Sequence, residues 1–591
     1  MRLSLPRFHF DDSPVEAGLA LFALLCFAAW LRLNGIGWDG FAGLHPDERH
    51  LYFVTQAMFE ALRDPANAGL SFTDWWLSAA SPLNPHAGEK FYVYGEAPLI
   101  AGVLVGWVTG TTDWFAFMGG ARTLAAVVDI GAVLAVFLGA RLLAGNTAAL
   151  VVAALYTVMP SALQLANFHT VDVWLSAAVA GAMVPMLALA TGRSGRAGPV
   201  AMAALAGALT GLALACKITG VLLAPAGIAA LVLAWRRGGL GAARALIALA
   251  AAVILALAVF RLANPFAFEG PGLFGLRPSA DWIADFVELG KFTAREDFPP
   301  NWQWIAGYGV LRFLRDFVLF GAGPVATGLF GLLLWRHPRR WGAVIVPLLA
   351  LGGFVVLTAM GQVSALRYAT PGLGPMAVAL APAVRWLDAR AIVAALAAAF
   401  WWGSGMVILH DGQHPRIAAS HWLWSLPAGT HLTNETDWDE SLPSIVSPGA
   451  GSPYRWPGHD GWFTFETLDM TAPDSPEKAS RMAGILSQTD FLILSSDRQS
   501  AVMPRLADRF PMTTAHYAML FSGEACFALA LEIDRGYPLP GLPFDDSWAQ
   551  EPWRVYDHPH VRIYRRLPCF DADHYANRLR RALMNSRSDD P

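Results

Sequence analysis

Acidic residues stand at two places in this chain where the surrounding sequence is mostly apolar. Asp47 and Glu48 are adjacent in LHPDERH at 44–50, and Asp172 ends NFHTVD at 167–172. Carboxylates beside a membrane are costly unless they are solvated, paired or bound to a metal. They could simply begin helices, since acids favour the positive helix end. If these acids face one cavity, they suit a reaction in which one carboxylate removes a proton and another orients the substrate or a metal.

Basic residues stand close to the same apolar segments. Lys217 interrupts ACKITG at 215–220, Arg367 opens RYATP at 367–371, and Lys90 lies in GEKFYVYGE at 88–96. Each of them could be an anchor at the membrane surface, and Arg261 is best explained in that way. Lys217 fits that explanation less well, because it sits in a tight turn between two apolar stretches. Cations at one membrane face suit a lipid phosphate or pyrophosphate.

Other polar side chains flank these charges. The candidates for the substrate pocket are His45, His169, Tyr94 and Tyr368. A divalent cation, Mg²⁺ or Mn²⁺, could be held by His45, Asp47, Glu48, His169 and Asp172. No ligand spacing demands a metal, so metal use stays open and no cofactor is assigned.

Composition indicates a multi-span membrane protein. Of 591 residues, 55% are hydrophobic and only 15% are charged, and mean hydropathy is +0.41. Ordinary soluble domains carry about 25% charged residues. The net charge of −4 gives no support for nucleic-acid binding, and no Walker or GxGxxG pattern supports nucleotide-driven transport.

Apolar stretches long enough to cross a bilayer, about 20 residues each, occur eleven times. The predicted spans are 17–33, 122–143, 146–166, 173–191, 198–215, 218–235, 242–262, 316–335, 341–360, 370–387 and 391–409. The segment 97–110 is apolar but has only fourteen residues. We interpret it as a helix lying beside the membrane, and 304–315 as an amphipathic interfacial helix.

The distribution of arginines decides this interpretation of 97–110. If it does not span, the basic residues between the spans fall on the same side as the N-terminus, which the positive-inside rule makes cytoplasmic. They are Arg2, Arg7, Arg141, Arg193, Arg196, Arg236, Arg237, Arg244, Arg336, Arg339, Arg340, Arg385 and Arg390. The first loop (34–121), Asp172, Lys217, Arg367 and the C-terminal part then face outwards. We therefore expect an inner-membrane protein of a bacterium with a periplasmic C-terminal part.

The acidic residues divide the chain into two parts. Half of the 46 Asp and Glu lie in 413–591, so we expect a membrane domain over 1–412 and an extracytoplasmic α/β domain over 413–591. The patterns predict strands in THLTNET, FTFETLDM, DFLILSS, CFALALEI and VRIYRR, and helices over 475–487 and 498–509. Cys526 and Cys569 could form a disulfide in an oxidising compartment or remain buried thiols.

Acids for an acceptor hydroxyl and cations for a departing lipid phosphate together suit glycosyl transfer from a polyprenyl-phosphate sugar. The phosphate is a weak base and needs charge stabilisation, whereas the hydroxyl is a weak nucleophile and needs a base. A carboxylate on the face opposite the phosphate would give inversion in a single displacement.

The order of several motifs resembles the GT-C glycosyltransferases, in particular the group of protein O-mannosyltransferases and the lipid A aminoarabinose transferase. The resemblance covers about residues 15–410. It is carried by HPDE at 45–48, FYVYGEAPL at 91–99, ARTLAAVVDIGAVLAVFLGARLLAG at 121–145, Pro160 with FHTVD, LACKITG at 214–220, DFPPNWQW at 297–304 and RYATP at 367–371.

The resemblance implies a multi-span α-helical GT-C fold and a lipid-phosphate sugar donor used on the extracytoplasmic side. By similarity, Asp47 is a general base or acceptor-binding residue with Glu48 as its partner, and Asp172 is the second acid. Lys217, Arg367 and, less closely, Lys90 match basic positions near the carrier phosphate. The acceptor hydroxyl could belong to a glycan, a lipid or a protein.

Two other classes of function remain open. One is a transporter that flips lipid-linked glycans without catalysis, which would typically show repeated halves and broken helices in the membrane. Here polar residues crowd one face, and Asp129 is a rare charge inside a span. The other is a membrane-anchored scaffold whose C-terminal part binds a partner.

Overall fold

Long apolar helices dominate the computed structural model, which describes residues 13–87, 91–110, 113–294, 299–336, 342–435, 442 and 461–588. Eight helices in these ranges are long and apolar enough to cross a membrane. They are Pro14–Leu33, Trp114–Thr157, Val171–Thr191, Gly195–Cys216, Ile218–Arg236, Ala242–Ala263, Gly342–Met360 and Ala389–Leu423. The pair Val310–Gly321 and Pro324–Arg336 meets the same criteria together, with a bend of 114°. The protein is therefore a multi-span membrane protein.

Each of the eleven predicted spans overlaps a helix. Two of them share Trp114–Thr157, whose 44 residues are interrupted at Gly145. Gly145 has φ 85°, which a side chain would oppose, so the chain changes direction there. Pro160–Ala166 completes the second of these two spans, and 370–387 corresponds to the shorter helix Thr370–Val384. The prediction of a helical membrane fold is confirmed.

The first loop contains two helices that position the candidate site. Pro46–Arg63 begins with a proline and two acids, and its apolar residues Leu51 and Met58 pack against Leu99. Leu99 belongs to Ala97–Thr109, the segment interpreted as a helix beside the membrane. At about 1.5 Å per residue these 13 residues reach only about 20 Å, which is short for a span. The loop also contains Phe72–Trp76.

The segment between Ala263 and Pro324 differs from the prediction of one interfacial helix over 304–315. It contains the short antiparallel pair Phe268–Glu269 and Arg277–Pro278 and the helix Ala280–Ala294. The helices Trp302–Ile305 and Val310–Asp316 follow, separated by a turn in which Gly307 has φ 90°. The predicted continuous helix is therefore wrong, because the chain bends at this glycine.

The C-terminal part is an α/β domain built on a five-stranded sheet, as predicted. The strands lie in the order Thr464–Leu468, His431–Glu435, Phe491–Leu494, Val561–Arg566 and Phe527–Ile533. The first three strands are parallel, and the last two pair antiparallel to their neighbours. Cys526 and Cys569 form a disulfide, with 5.7 Å between their Cα atoms.

The helices of this domain match the sequence pattern only in part. Pro476–Gln488 confirms the prediction over 475–487, whereas 498–509 contains only the 3₁₀ turn Met503–Leu506. The helix instead begins at Pro511 and ends at Ser522, since a proline fits the first turn of a helix but not its interior. Glu551–Arg554 and Ala572–Ser588 complete the helices of this part of the chain.

The C-terminal domain packs directly on the membrane helices. Tyr537 and Trp553 belong to the same buried cluster as the residues of the spans. Tyr537 donates to the carbonyl of Trp402, and His410 Nε2 lies 2.7 Å from Asp557. The helix Pro415–Leu423 follows the last span directly. Segment 537–558 therefore joins the two predicted domains through shared packing.

Candidate active site

Asp47 lies in the first turn of the helix Pro46–Arg63, at the level where the first loop meets the membrane helices. His45 caps this helix, with its Nδ1 accepting from the Asp47 N–H at 3.2 Å. Asp47 Oδ2 lies 2.9 Å from a guanidinium nitrogen of Arg367. Arg367 comes from the short turn Leu366–Tyr368 before Thr370–Val384. Two segments about 320 residues apart thus form one ion pair.

The carboxyl of Asp47 is held in its ionised form. Burial by itself would raise its pKa, but Arg367, His45, Lys217 and Tyr94 together outweigh burial. The pKa of Asp47 is therefore lowered from its ordinary value. A charged carboxylate at neutral pH accepts hydrogen bonds, as a base for a hydroxyl must.

A second ion pair lies beside the first. Asp172 opens the helix Val171–Thr191, and Lys217 Nζ lies 2.8 Å from its Oδ1. Lys217 stands between the helix Gly198–Cys216 and the turn Ile218–Leu223, with extended backbone at φ −161°. The Gly95 N–H donates to the carbonyl of Cys216 at 3.0 Å, which brings the first loop against this junction. A Cβ on Gly95 would lie 2.0 Å from the Ala215 carbonyl oxygen, so only glycine permits this approach.

Two tyrosines join the ion pairs into one group, here called the charged cluster: Asp47, Tyr94, Asp172, Lys217, Arg367 and Tyr368. Lys217 Nζ lies 4.3 Å from the centre of the Tyr368 ring and 6.0 Å from that of Tyr94. Arg367 lies 5.4 Å from the Tyr368 ring centre. Burial, then Asp47, raise the pKa of Tyr94 well above its ordinary value, so its phenol stays protonated.

Glu48 has different surroundings from Asp47. Its carboxylate receives two bonds from Arg122, at 2.9 and 2.7 Å, and one from the His169 N–H at 2.8 Å. Arg122 also binds Asp39 at 2.7 and 2.9 Å. These side chains are fully buried. Glu48 therefore fixes the first loop against Trp114–Thr157 and the loop before Asp172, and it has no free oxygen for a substrate.

The two predicted histidines lie in different environments. His45 packs between Tyr556, at 4.2 Å between ring centres, and Phe168, at 4.8 Å. Burial lowers its pKa to about 3, so the ring is neutral. His169 is completely buried near Phe117 and Trp174, and burial lowers its pKa to about 4. His45 thus borders the charged cluster, whereas His169 contributes its backbone to Glu48. Lys90 lies outside the described residues.

The described residues contain no group of three His, Cys, Asp or Glu side chains arranged to hold a metal ion. Asp47 and Asp172 each already hold a cationic side chain, and Glu48 is occupied by Arg122. Mg²⁺ and Mn²⁺ need several oxygen ligands around one point. The residues around the charged cluster therefore do not fit such an ion.

The sequence does not predict several of the long-range contacts in and around the candidate site. Tyr556, which packs on His45, belongs to WRVYDHPH near the C-terminus. The two residues lie about 510 positions apart in the sequence, so no local pattern could predict their contact. Arg122 and Asp39 pair across separate segments, as do Arg32 and Asp129 at 2.6 Å. The interpretation of Arg261 as a surface anchor is wrong. It is buried and donates to the carbonyls of Leu77, Pro265 and Gly272, which closes the loop after its helix.

Comparison with solved structures finds similar architectures of low sequence identity. The oligosaccharyltransferase of Archaeoglobus fulgidus, tethered with an acceptor peptide, is 14% identical, with 88% of this chain and 74% of that chain covered and a TM-score of 0.49. ArnT from Cupriavidus metallidurans bound to undecaprenyl phosphate is 15% identical, with 82% and 94% covered and a TM-score of 0.43. The Saccharomyces cerevisiae Pmt1–Pmt2 complex bound to the sugar donor is 15% identical, with 43% and 35% covered and a TM-score of 0.32.

These proteins are GT-C glycosyltransferases, the superfamily that the sequence motifs resemble. No protein-family model and no curated protein sequence matches the chain. With TM-scores below 0.5, the role of each residue has to come from its own contacts.

Proposed function

We propose that this protein is an inverting glycosyltransferase that moves a sugar from a polyprenyl-phosphate carrier to an acceptor hydroxyl. The observation that supports this most strongly is the charged cluster, in which two carboxylates and two cations meet two tyrosines beside the membrane helices. The order of the sequence motifs points to the same chemistry.

Asp47 is the proposed base. The acceptor oxygen attacks the anomeric carbon while the bond from that carbon to the carrier phosphate oxygen breaks. The electron pair of the broken bond leaves with the phosphate, and the proton of the acceptor hydroxyl passes to the Asp47 carboxylate. A carboxylate with a lowered pKa is a weak base, so the transfer occurs late, once the new bond has made the hydroxyl acidic.

Lys217 and Arg367 are the proposed partners of the carrier phosphate. Each is now balanced by one carboxylate, so an incoming phosphate competes for the same donors. As the leaving group gains charge, these cations stabilise it more strongly than they stabilise the intact donor. Tyr94 and Tyr368 hold the cations by their rings and can donate phenolic protons to sugar or phosphate oxygens.

Asp172 and Glu48 have positioning roles in this proposal. Asp172 fixes the ammonium of Lys217, which stands on a long and flexible side chain. Glu48 with Arg122 fixes the helix that carries Asp47. We therefore assign Glu48 a positioning role instead of the predicted catalytic role, because both of its carboxylate oxygens already accept hydrogen bonds from Arg122 or His169.

The arginine distribution supports an orientation in which the charged cluster faces the periplasmic side of a bacterial inner membrane. Polyprenyl carriers are membrane lipids, so a site at the end of the spans lets the carrier chain remain in the bilayer while its phosphate reaches Lys217.

A panel of labelled polyprenyl-phosphate monosaccharides tests the proposal. Purified full-length protein in detergent is mixed with each donor and a membrane or periplasmic extract, and free polyprenyl phosphate is measured. Release with transfer of label, and a product of inverted anomeric configuration, is the expected result. In liposomes, movement of an intact donor across the bilayer without bond cleavage would support the transporter instead.

A further inference from the structure

A polar cavity of about 310 Å³ lies between the C-terminal domain and the segment Trp302–Asp316. Its walls are the loop containing Asp497, the segment 547–560 and the helix Val310–Asp316. Here it is called the arginine cavity, since Arg312, Arg315, Arg505 and Arg554 all line it.

The carboxylates of the arginine cavity are already engaged. Asp497 accepts from His560 Nδ1 at 3.1 Å and from Arg562, and it lies 3.8 Å from Arg554. Glu551 accepts from Arg498 at 2.8 Å and from Gln303 at 3.1 Å. Both acids of the wall are therefore already engaged, mainly by Arg498 and Arg562, which do not line the cavity.

The arginines differ in their pairing. Arg315 binds Asp316 at 2.9 Å, and its guanidinium lies 3.9 Å from the centre of a Trp548 ring. Arg554 binds Asp534 at 2.6 Å. Within the described ranges, Arg312 and Arg505 have no carboxylate within ion-pair distance. Partial burial, then the positive charge of Arg312, lower the pKa of Arg505. Both side chains line the same cavity and remain exposed to solvent.

Two like charges with no counter-ion form an unfavourable arrangement that an anion would relieve. The rest of the wall is suited to hydroxyl groups, because Gln303 and Ser547 offer an amide and a hydroxyl. The volume is that of a small ligand site rather than of a single ion. This combination favours a charged saccharide.

The arginine cavity lies directly beside the charged cluster. Gln550 lines it and also lines the small cavity that contains His45 and Arg367. The Oε1 of Gln550 accepts from the N–H of Leu366, the residue before Arg367, at 2.8 Å. Its own N–H donates to Asp316 at 2.9 Å. Gln550 therefore lines both spaces and bonds to the segments that carry Arg367 and Asp316.

We propose that Arg312 and Arg505 bind an anionic sugar of the acceptor, a saccharide that carries a carboxylate or a phosphate group. The name acceptor rests on the proposed function, whereas binding of the anionic saccharide does not require turnover. The sugar that presents its hydroxyl to Asp47 would then be a neighbour of the charged sugar in the arginine cavity.

Binding is measured by isothermal titration on the full-length protein in detergent, without donor. The probes are trigalacturonic acid, glucose 1,6-bisphosphate and the neutral maltotriose. The variants are Arg312→Gln, Arg505→Gln and their combination. Arg481→Gln is the matched control, because Arg481 is exposed in the same domain and does not line the cavity.

The wild type and Arg481→Gln are expected to bind at least one anionic probe about tenfold more tightly than maltotriose, since a charge-assisted bond is worth about that factor. Each cavity variant is expected to lose about tenfold, and added salt to weaken the wild type. Preference for trigalacturonic acid assigns a carboxylate, and preference for the bisphosphate assigns a phosphate.

Equal affinity for maltotriose, or unchanged binding in the double variant, overturns the inference. Donor cleavage is measured on the same samples. Donor cleavage without anion binding contradicts the proposed binding site in the arginine cavity but not the proposed function. Anion binding without cleavage of any donor contradicts the proposed function, and the arginine cavity is then a saccharide-binding site. Melting temperatures show that the variants remain folded.

Discussion

At the scale of single residues, the pairing of each acid with a cation determines what the charged cluster can do. Asp47 and Asp172 are both held by a positive side chain, and the lowered pKa of Asp47 makes it a weak base on its own. Their partners can turn to a phosphate when a donor enters, which frees carboxylate oxygens for a hydroxyl. The cluster is therefore suited to a reaction in which charge moves from acceptor to leaving group.

The pH dependence of kcat/KM follows from these groups. The pKa of Asp47 is lowered, so its charged form persists well into the acid range. His45 and His169, with pKa values of about 3 and 4, are neutral at physiological pH. We expect kcat/KM to be flat between about pH 5 and pH 8 and to fall only below that range. A limb near pH 6.5 in the pH–rate profile would contradict this assignment, because it would require a titrating histidine.

Substitution of Lys217 tests its proposed role in binding the carrier phosphate. Lys217→Gln is expected to lower kcat/KM about 100-fold, as removal of one group that stabilises developing negative charge typically does. Lys217→Arg keeps the charge and should retain part of the activity. Lys291→Gln is the control, since Lys291 is exposed and pairs only with Glu288 among the described residues. Wild-type donor cleavage by Lys217→Gln would exclude this role for Lys217.

At the scale of elements, a buried ion network fixes the helix that carries Asp47. Arg122 on Trp114–Thr157 binds Glu48 on Pro46–Arg63 and Asp39 in the segment that precedes Pro46–Arg63. Three elements therefore meet at one guanidinium. These side chains are buried away from water, so removal of one of them leaves its oppositely charged partners buried and unpaired.

Arg122→Met is accordingly expected to lower the free energy of unfolding by about 3–5 kcal/mol, which reflects the two carboxylates left behind. Thermal unfolding in detergent, followed by tryptophan fluorescence, measures the change. Arg63→Met is the control, because Arg63 lies at the exposed end of the same helix. Equal melting temperatures for the two variants would show that the network does not stabilise the fold.

The elements were more predictable from sequence than the contacts between them. Apolar stretches of about 20 residues and alternating strands are local patterns, so the spans and the five strands of the sheet could be found. Glu48 could not be told apart from Asp47, since two adjacent acids differ only in what the folded chain brings to each. The break at Gly307 and the helix start at Pro511 depended on single residues inside otherwise regular patterns.

At the scale of the whole molecule, the C-terminal domain takes part in the site. Tyr556 reaches back to His45, and Gln550 reaches Leu366 beside Arg367. Composition predicts a boundary near residue 412 from the distribution of acidic residues, but this distribution carries no information about packing between the two parts. The domain is therefore expected to influence catalysis as well as acceptor binding.

Tyr556→Ala tests this dependence. Without the Tyr556 ring that packs on His45, the start of the helix that carries Asp47 should shift, and kcat/KM should fall about 10- to 100-fold. Tyr556→Phe keeps the ring and should remain near the wild type. Donor cleavage by both variants is compared at equal melting temperature. Full activity of Tyr556→Ala would mean that the C-terminal domain does not support the site.

Cleavage of the active donor in a single turnover, compared between wild type and Asp47→Asn, is the most direct test of the proposed chemistry. Free polyprenyl phosphate should form about 10²–10⁴-fold more slowly in Asp47→Asn, the range expected for loss of a general base. The exposed Asp508→Asn serves as the matched control and should behave as the wild type. Donor binding and melting temperature show that the site is otherwise intact. Release by Asp47→Asn at the wild-type rate would contradict the role of Asp47 as the base.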